Sequence, residues 1–127
     1  MRRYVYDSGA LIAIGERDAA ALRRHESRLH ERDHIIVPAP VAAQVVRDPR
    51  RQARLMLTLR GCDVISFAAE HVSPVGALLA GAGTADVVGG FVAITAAEAS
   101  AAVVTTDGRD IKHLLDTLGV RVPVLAP

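Results

Sequence analysis

Tyr4-Val5-Tyr6-Asp7-Ser8-Gly9-Ala10-Leu11-Ile12 is the stretch on which the reading of the fold turns. Tyr4, Val5 and Tyr6 suit a short strand, Asp7 closes it, and Ser8-Gly9 leads into an apolar run that turns into a helix. The same alternation continues outward. A helix is predicted over residues 17–31, with Ala19, Leu22 and Leu29 on its buried side. His34-Ile35-Ile36-Val37 is the next strand, closed by Pro38, and helices follow over residues 39–47 and from Arg50 to Leu59. Cys62-Asp63-Val64-Ile65 reads as a strand and residues 68–80 as a helix. Gly81-Ala82-Gly83 then reads as a loop, and Thr84 as the N-cap of a long helix reaching about Ser100. Ala102-Val103-Val104-Thr105 is a strand, Asp110–Leu118 a helix and Val120–Leu125 a last strand. Strands alternating with helices, without hairpin signals, predict an α/β domain with a central parallel sheet of four to five strands covered on both faces.

The chain's 127 residues suffice for one domain, spanning residues 1–127, with a real core. Half the residues are apolar and 23% are charged, which excludes disorder. With two Tyr, two Phe and no Trp, the core must be filled by Ala, Val, Leu and Ile. Cys62 is the lone cysteine, so an internal disulfide or a thiolate cluster is excluded and a reducing, cytoplasmic setting is expected. Met1-Arg2-Arg3 resembles the start of a signal segment. Asp7 and Glu16, however, leave only residues 8–15 uncharged between them, too few for a membrane span. Lys112 is the only lysine among fifteen basic residues; the rest are Arg, whose planar fork matches phosphate geometry.

In open parallel sheets, ligands bind outside the carboxyl ends of the strands. Asp7 follows the first strand, Asp107 follows the strand at 102–105, Asp110 lies three residues on, and Asp86 sits in the first turn of the long helix. Each aspartate alone suits a helix cap or the helix dipole. Together at one edge they would repel one another unless a divalent cation lay between them, and hard oxygen donors of this kind suit Mg²⁺ or Mn²⁺. Such an ion generates hydroxide and neutralises phosphate charge during in-line displacement.

Other patterns carry less. His25-Glu26 and His30 are spaced by five, about 140° apart around a helix, which is not a zinc motif and reads as a solvated face. Gly81-x-Gly83 follows a helix and lacks a third glycine, so it is no dinucleotide loop. Cys62 reads as a core residue. On a helix, Arg47, Arg50, Arg51 and Arg54 share one face, open to RNA phosphates, to a protein partner or to solvent.

Four blocks, in order, resemble those of a PIN domain, above all of VapC-type toxins from bacterial toxin–antitoxin pairs. They are Tyr4–Ile12; Val37-Pro38-Ala39-Pro40-Val41-Ala42-Ala43-Gln44-Val45-Val46-Arg47; Thr84-Ala85-Asp86-Val87-Val88 with Val92-Ala93; and Val103-Val104-Thr105-Thr106-Asp107-Gly108-Arg109-Asp110. The resemblance spans essentially the whole chain. It implies a three-layer α/β/α fold, a Mg²⁺- or Mn²⁺-dependent ribonuclease, a cognate antitoxin and a toxin homodimer. By match, Asp7 is the family's first acid and Asp107 its fourth, with Asp110 beside it. The second, usually Glu, falls on Gln44, whose carbonyl still coordinates. The third falls on Gly89, with Asp86 one helical turn earlier facing the same way. Asp7, Asp86, Asp107 and Gln44 are thus the expected catalytic set, and Asp7, Asp86, Asp107 and Asp110 the expected metal ligands.

Three functions compete: a ribonuclease toxin; a catalytically weakened PIN-like module that binds antitoxin or RNA; and a receiver-type phosphoryl-transfer domain. The last wants an acid paired with Asp7 and a late strand-end lysine, and neither is present.

Overall fold

The computed structural model describes residues 1–127. Its core is a five-stranded, wholly parallel sheet in the order β3-β2-β1-β4-β5, built from β1 (Arg3–Tyr6), β2 (His34–Pro38), β3 (Asp63–Ile65), β4 (Ala102–Val104) and β5 (Val124–Leu125). The helices are α1 (Ser8–Gly15), α2 (Ala19–His30), α3 (Ala39–Val45), α4 (Ala53–Arg60), α5 (Val72–Ala82), α6 (Val87–Ala99) and α7 (Gly108–Leu118). One group centres on α1, which packs on α2, α3 and α4; the other centres on α6, which packs on α5, α7 and strands β1, β2 and β4. The result is the expected three-layer α/β/α arrangement, PIN-like in its order of elements.

Both faces of the central strands are covered, so Val5, Tyr6, Val37, Val103 and Val104 are almost fully buried. Helix α6 is apolar all round and buried over most of its length, as a core helix must be. No single helix is long and apolar enough to cross a membrane. Counting outward from β1, the chain builds β2 and β3 on one side, then returns to lay β4 and β5 on the other. The carboxyl ends of β1 and β4 therefore flank a switch point, where a parallel sheet leaves a crevice.

Several expected elements differ in extent. The predicted helices at 39–47 and 50–59 are interrupted: α3 ends at Val45, a single 3-10 turn runs Pro49–Arg51, and α4 begins at Ala53. Pro49 disfavours helical geometry at Asp48 and lacks the N–H that a continuous helix would use. Helix α2 buries Ala21, His25 and Arg28 rather than Ala19 and Leu29; Leu22 is half-buried and Leu29 is 43% exposed. His25 is therefore buried rather than on a solvated face. Asp86, not Thr84, caps α6, and α5 runs on to Ala82 before Gly83 stops it at a left-handed φ of 72°. Cys62 lies half-buried just before β3, its thiol donating to the Thr58 carbonyl, and burial pushes its pKa up to about 11. The last strand keeps only Val124–Leu125 of the predicted 120–125.

Candidate metal centre at the carboxyl edge of the sheet

Asp7 leaves β1 with its backbone N–H still bonded to the Val104 carbonyl of β4, 3.0 Å away, so the sheet fixes its position. Its carboxylate is then held twice. Oδ1 accepts from the Ser8 N–H at 2.8 Å, and Oδ2 accepts from the Thr105 hydroxyl at 2.9 Å. The same hydroxyl oxygen accepts from the Asp107 N–H at 2.9 Å, which ties the end of β4 to the end of β1. Gly9 permits this closeness, because a side chain there would overlap Thr106 in the loop after β4.

Asp86 reaches the same place as the N-cap of α6. Its Oδ1 accepts from the Gly89 N–H at 3.0 Å, and its own N–H donates to the Thr84 hydroxyl at 3.2 Å. A Cβ at position 89 would overlap the Asp86 carboxylate, so glycine there makes room for the acid that stands one turn earlier. Asp107 occupies the N-cap position of α7 but makes no side-chain cap bond, which leaves its carboxylate free. Asp110 follows in the first turn of α7.

Asp7, Ser8, Gln44, Asp86, Gly89, Asp107 and Asp110 all line one cleft of about 90 Å³. That is space for a cation with some of its water, at roughly 30 Å³ per water molecule. Asp7 is buried, whereas Gln44, Asp86, Asp107 and Asp110 are exposed. Burial raises the Asp7 pKa above the ordinary carboxylate value; its bonds from Ser8 and Thr105 lower it, and the charges of Asp107 and Asp86 raise it. No three His, Cys, Asp or Glu side chains converge into a ready coordination sphere, so the acids stand around the cleft rather than drawn together in it. As a donor set they are all oxygen, negatively charged and mutually repelling, which fits a hard divalent cation.

All five residues expected from the sequence line this one cleft, without converging on a common point. The arginines do not lie on one helix: Arg47 follows α3, Arg50 and Arg51 are in the 3-10 turn, and Arg54 is in α4. The Arg47 guanidinium is spent on the Ala43 and Val46 carbonyls beyond the end of α3. Arg50 and Arg51 each lie within 4 Å of Asp48, at 3.7 and 3.6 Å, and Arg54 has a buried Nε without a partner. Three contributors carried no role in the sequence reading. Thr105 reads as a strand terminus, although a hydroxyl two residues before a strand-end acid is a positioning signal. Arg109 and Lys112, exposed on α7, border a hollow of about 530 Å³ that begins at Gly108, the residue after Asp107.

The fold and the cleft together define an open parallel α/β domain of PIN-like type, with an acidic site at its switch point. Among solved structures, the chain is similar to "VapBC2 from Rickettsia felis bound to a DNA fragment from their promoter", with a TM-score of 0.67 and 17% identity over 98% of this chain and 97% of that one. It is also similar to PAE2754 from Pyrobaculum aerophilum, with a TM-score of 0.61 and 15% identity over 97% and 90% of the two chains. At these identities the likeness is one of fold. No protein-family model matches the sequence, and neither does any curated protein.

Proposed function

We propose that the chain is a divalent-cation-dependent ribonuclease of the VapC toxin type, acting in the cytoplasm and held in check by a cognate antitoxin. The observation that carries this reading is the meeting of Asp7, Gln44, Asp86, Asp107 and Asp110 around one cleft at the switch point of the sheet. Asp7, Asp86, Asp107 and Asp110 would hold Mg²⁺ or Mn²⁺, with the Gln44 carbonyl as a neutral donor. When bound, the cation supplies a hydroxide-generating Lewis acid and offsets phosphate charge.

The chain's own residues set the rest. Ser8 and Thr105 hold the Asp7 carboxylate in one orientation. Arg109 and Lys112 offer RNA phosphates a positive approach on the α7 side. On another side, a groove of about 430 Å³ between α1 and α4 is lined by Leu11, Ile12, Val45 and Leu55, with Arg51 and Arg54 also bordering it. Ile12 is 45% exposed there and the buried Nε–H of Arg54 lacks an acceptor, so an apolar segment carrying an acid would suit it as the antitoxin contact. The fold shared with a VapBC2 structure supports that partner, and a toxin homodimer belongs to the same reading.

A second reading, a binding module with little turnover, is favoured by Gln44 and Gly89 at positions where the resemblance expects acids. Cleavage of RNA in Mg²⁺ or Mn²⁺ separates the two. The nuclease reading expects turnover that falls at least about a hundredfold, on the order of 2.7 kcal/mol, in Asp7→Asn. Cleavage absent from the wild type, or equal in both proteins, would leave the binding module.

A further inference from the structure

The opposite, amino edge of the sheet holds a largely buried guanidinium that no acid of the protein pairs with. Tyr4 and Tyr6 lie two apart on β1 and so face the same side, toward α2. On α2, His25 and Arg28 turn inward to meet them. The Tyr6 hydroxyl lies 2.8 Å from His25 Nδ1 and accepts from Arg28 Nη1 at 3.1 Å. The Arg28 guanidinium sits 4.5 Å from the centre of the Tyr4 ring and 5.6 Å from that of Tyr6.

Arg28 is only 9% exposed, yet it forms no ion pair, and beyond Tyr6 its donors have no acceptor in the protein. Arginine cannot relieve this by losing its proton. His25 offers no negative charge, and burial and then Arg28 hold its pKa below the usual imidazole value. None of the Arg28 nitrogens left without a protein acceptor is sealed from solvent, so they open on the pocket beside them, where an arriving anion would meet them.

Arg28 borders an open pocket of about 660 Å³ whose lining carries four arginines, Arg2, Arg23, Arg24 and Arg28, against two acids, Glu31 and Asp33. Arg24 donates to the Pro127 carbonyl, and Asp33 accepts the Arg2 backbone N–H. Neither acid pairs with any of the four guanidiniums.

We infer that this pocket at the amino edge of the sheet is an oxyanion site that takes a phosphate group, as free phosphate or as a small phosphomonoester. A doubly charged tetrahedral anion offers the guanidiniums that border the pocket more acceptor directions than a single carboxylate does. The pocket also has room for an organic body beside the phosphate. The site lies across the sheet from the acidic cleft and does not depend on the nuclease reading.

Calorimetric titration of the whole chain with inorganic phosphate, phenyl phosphate and benzoate, at matched ionic strength, tests it. Both phosphates should bind and benzoate should bind at least about tenfold more weakly. Arg28→Gln should weaken phosphate by about tenfold and Arg23→Gln by about threefold, while Asp107→Asn should leave it unchanged. Tighter binding of phenyl phosphate than of phosphate would show that the organic body is held as well. Arg23 is exposed, so that variant keeps the test decisive if Arg28→Gln does not fold. Benzoate binding as well as phosphate, phosphate binding unaltered in Arg23→Gln, or an acidic peptide binding where phosphate does not would overturn the inference.

Discussion

The two edges of the sheet meet opposite charge problems. At the carboxyl edge, Asp7 is buried beside the exposed Asp86 and Asp107, and the excess charge is negative. At the amino edge, Arg28 is buried against two tyrosines and the excess is positive. The acidic edge is braced by the Ser8 N–H and the Thr105 hydroxyl, both aimed at the Asp7 carboxylate. The basic edge has one tyrosine hydroxyl and two aromatic faces. Each end of β1 thus lies beside an excess of one charge sign, which a partner of opposite sign would offset.

Thr105→Val sharpens the acidic half most. It strips an acceptor from the Asp107 N–H and a donor from Asp7, so unfolding free energy should fall by about 1–3 kcal/mol and metal affinity should fall with it. Chemical denaturation with and without Mn²⁺ reads both. Next in size is Gly89→Asp, which adds a carboxylate but pushes Asp86 off its cap. Its Mn²⁺ affinity should rise about tenfold, roughly 1.4 kcal/mol, while stability without metal falls by about 1 kcal/mol for the lost cap.

Protonation gives a smaller, directional effect. Because the Asp7 pKa is raised on folding, its contribution favours the folded state fully below the ordinary carboxylate range. That contribution is lost as pH rises through the raised value. Metal-free stability should therefore decline over that interval, and Asp7→Asn should flatten the decline; a profile identical in both proteins would remove Asp7 as its source. The smallest effect is expected of the double variant Arg50→Gln with Arg51→Gln. With both guanidiniums near Asp48, the salt slope of RNA binding should change by less than the two units that two free phosphate contacts would give.

The acidic half was legible in the sequence because each acid follows or begins an element, and strand-end positions in a parallel sheet converge whatever the loops between them do. The basic half was not. Helix α2 reads as amphipathic by its leucines and alanines, so Arg28 and His25 fall among polar positions. Only the tyrosines two apart on β1, able to receive them, reverse that. Arg47, Arg50, Arg51 and Arg54 do not form one helical ridge for a local reason: the chain breaks around Pro49 between α3 and α4. The exchange of an acid at 89 for one at 86 was half visible. The spacing showed a shared face, but not that the glycine vacates the space the Asp86 carboxylate fills.

Mn²⁺ titration of the metal-free chain, followed calorimetrically in the wild type, Asp7→Asn and Asp107→Asn, bears most directly on the carboxyl-edge cleft. One ion should bind per chain, at least about tenfold more weakly in either variant. Wild-type protein that binds no Mn²⁺, or binds it as well after both substitutions, would contradict the assignment of that cleft as a metal centre.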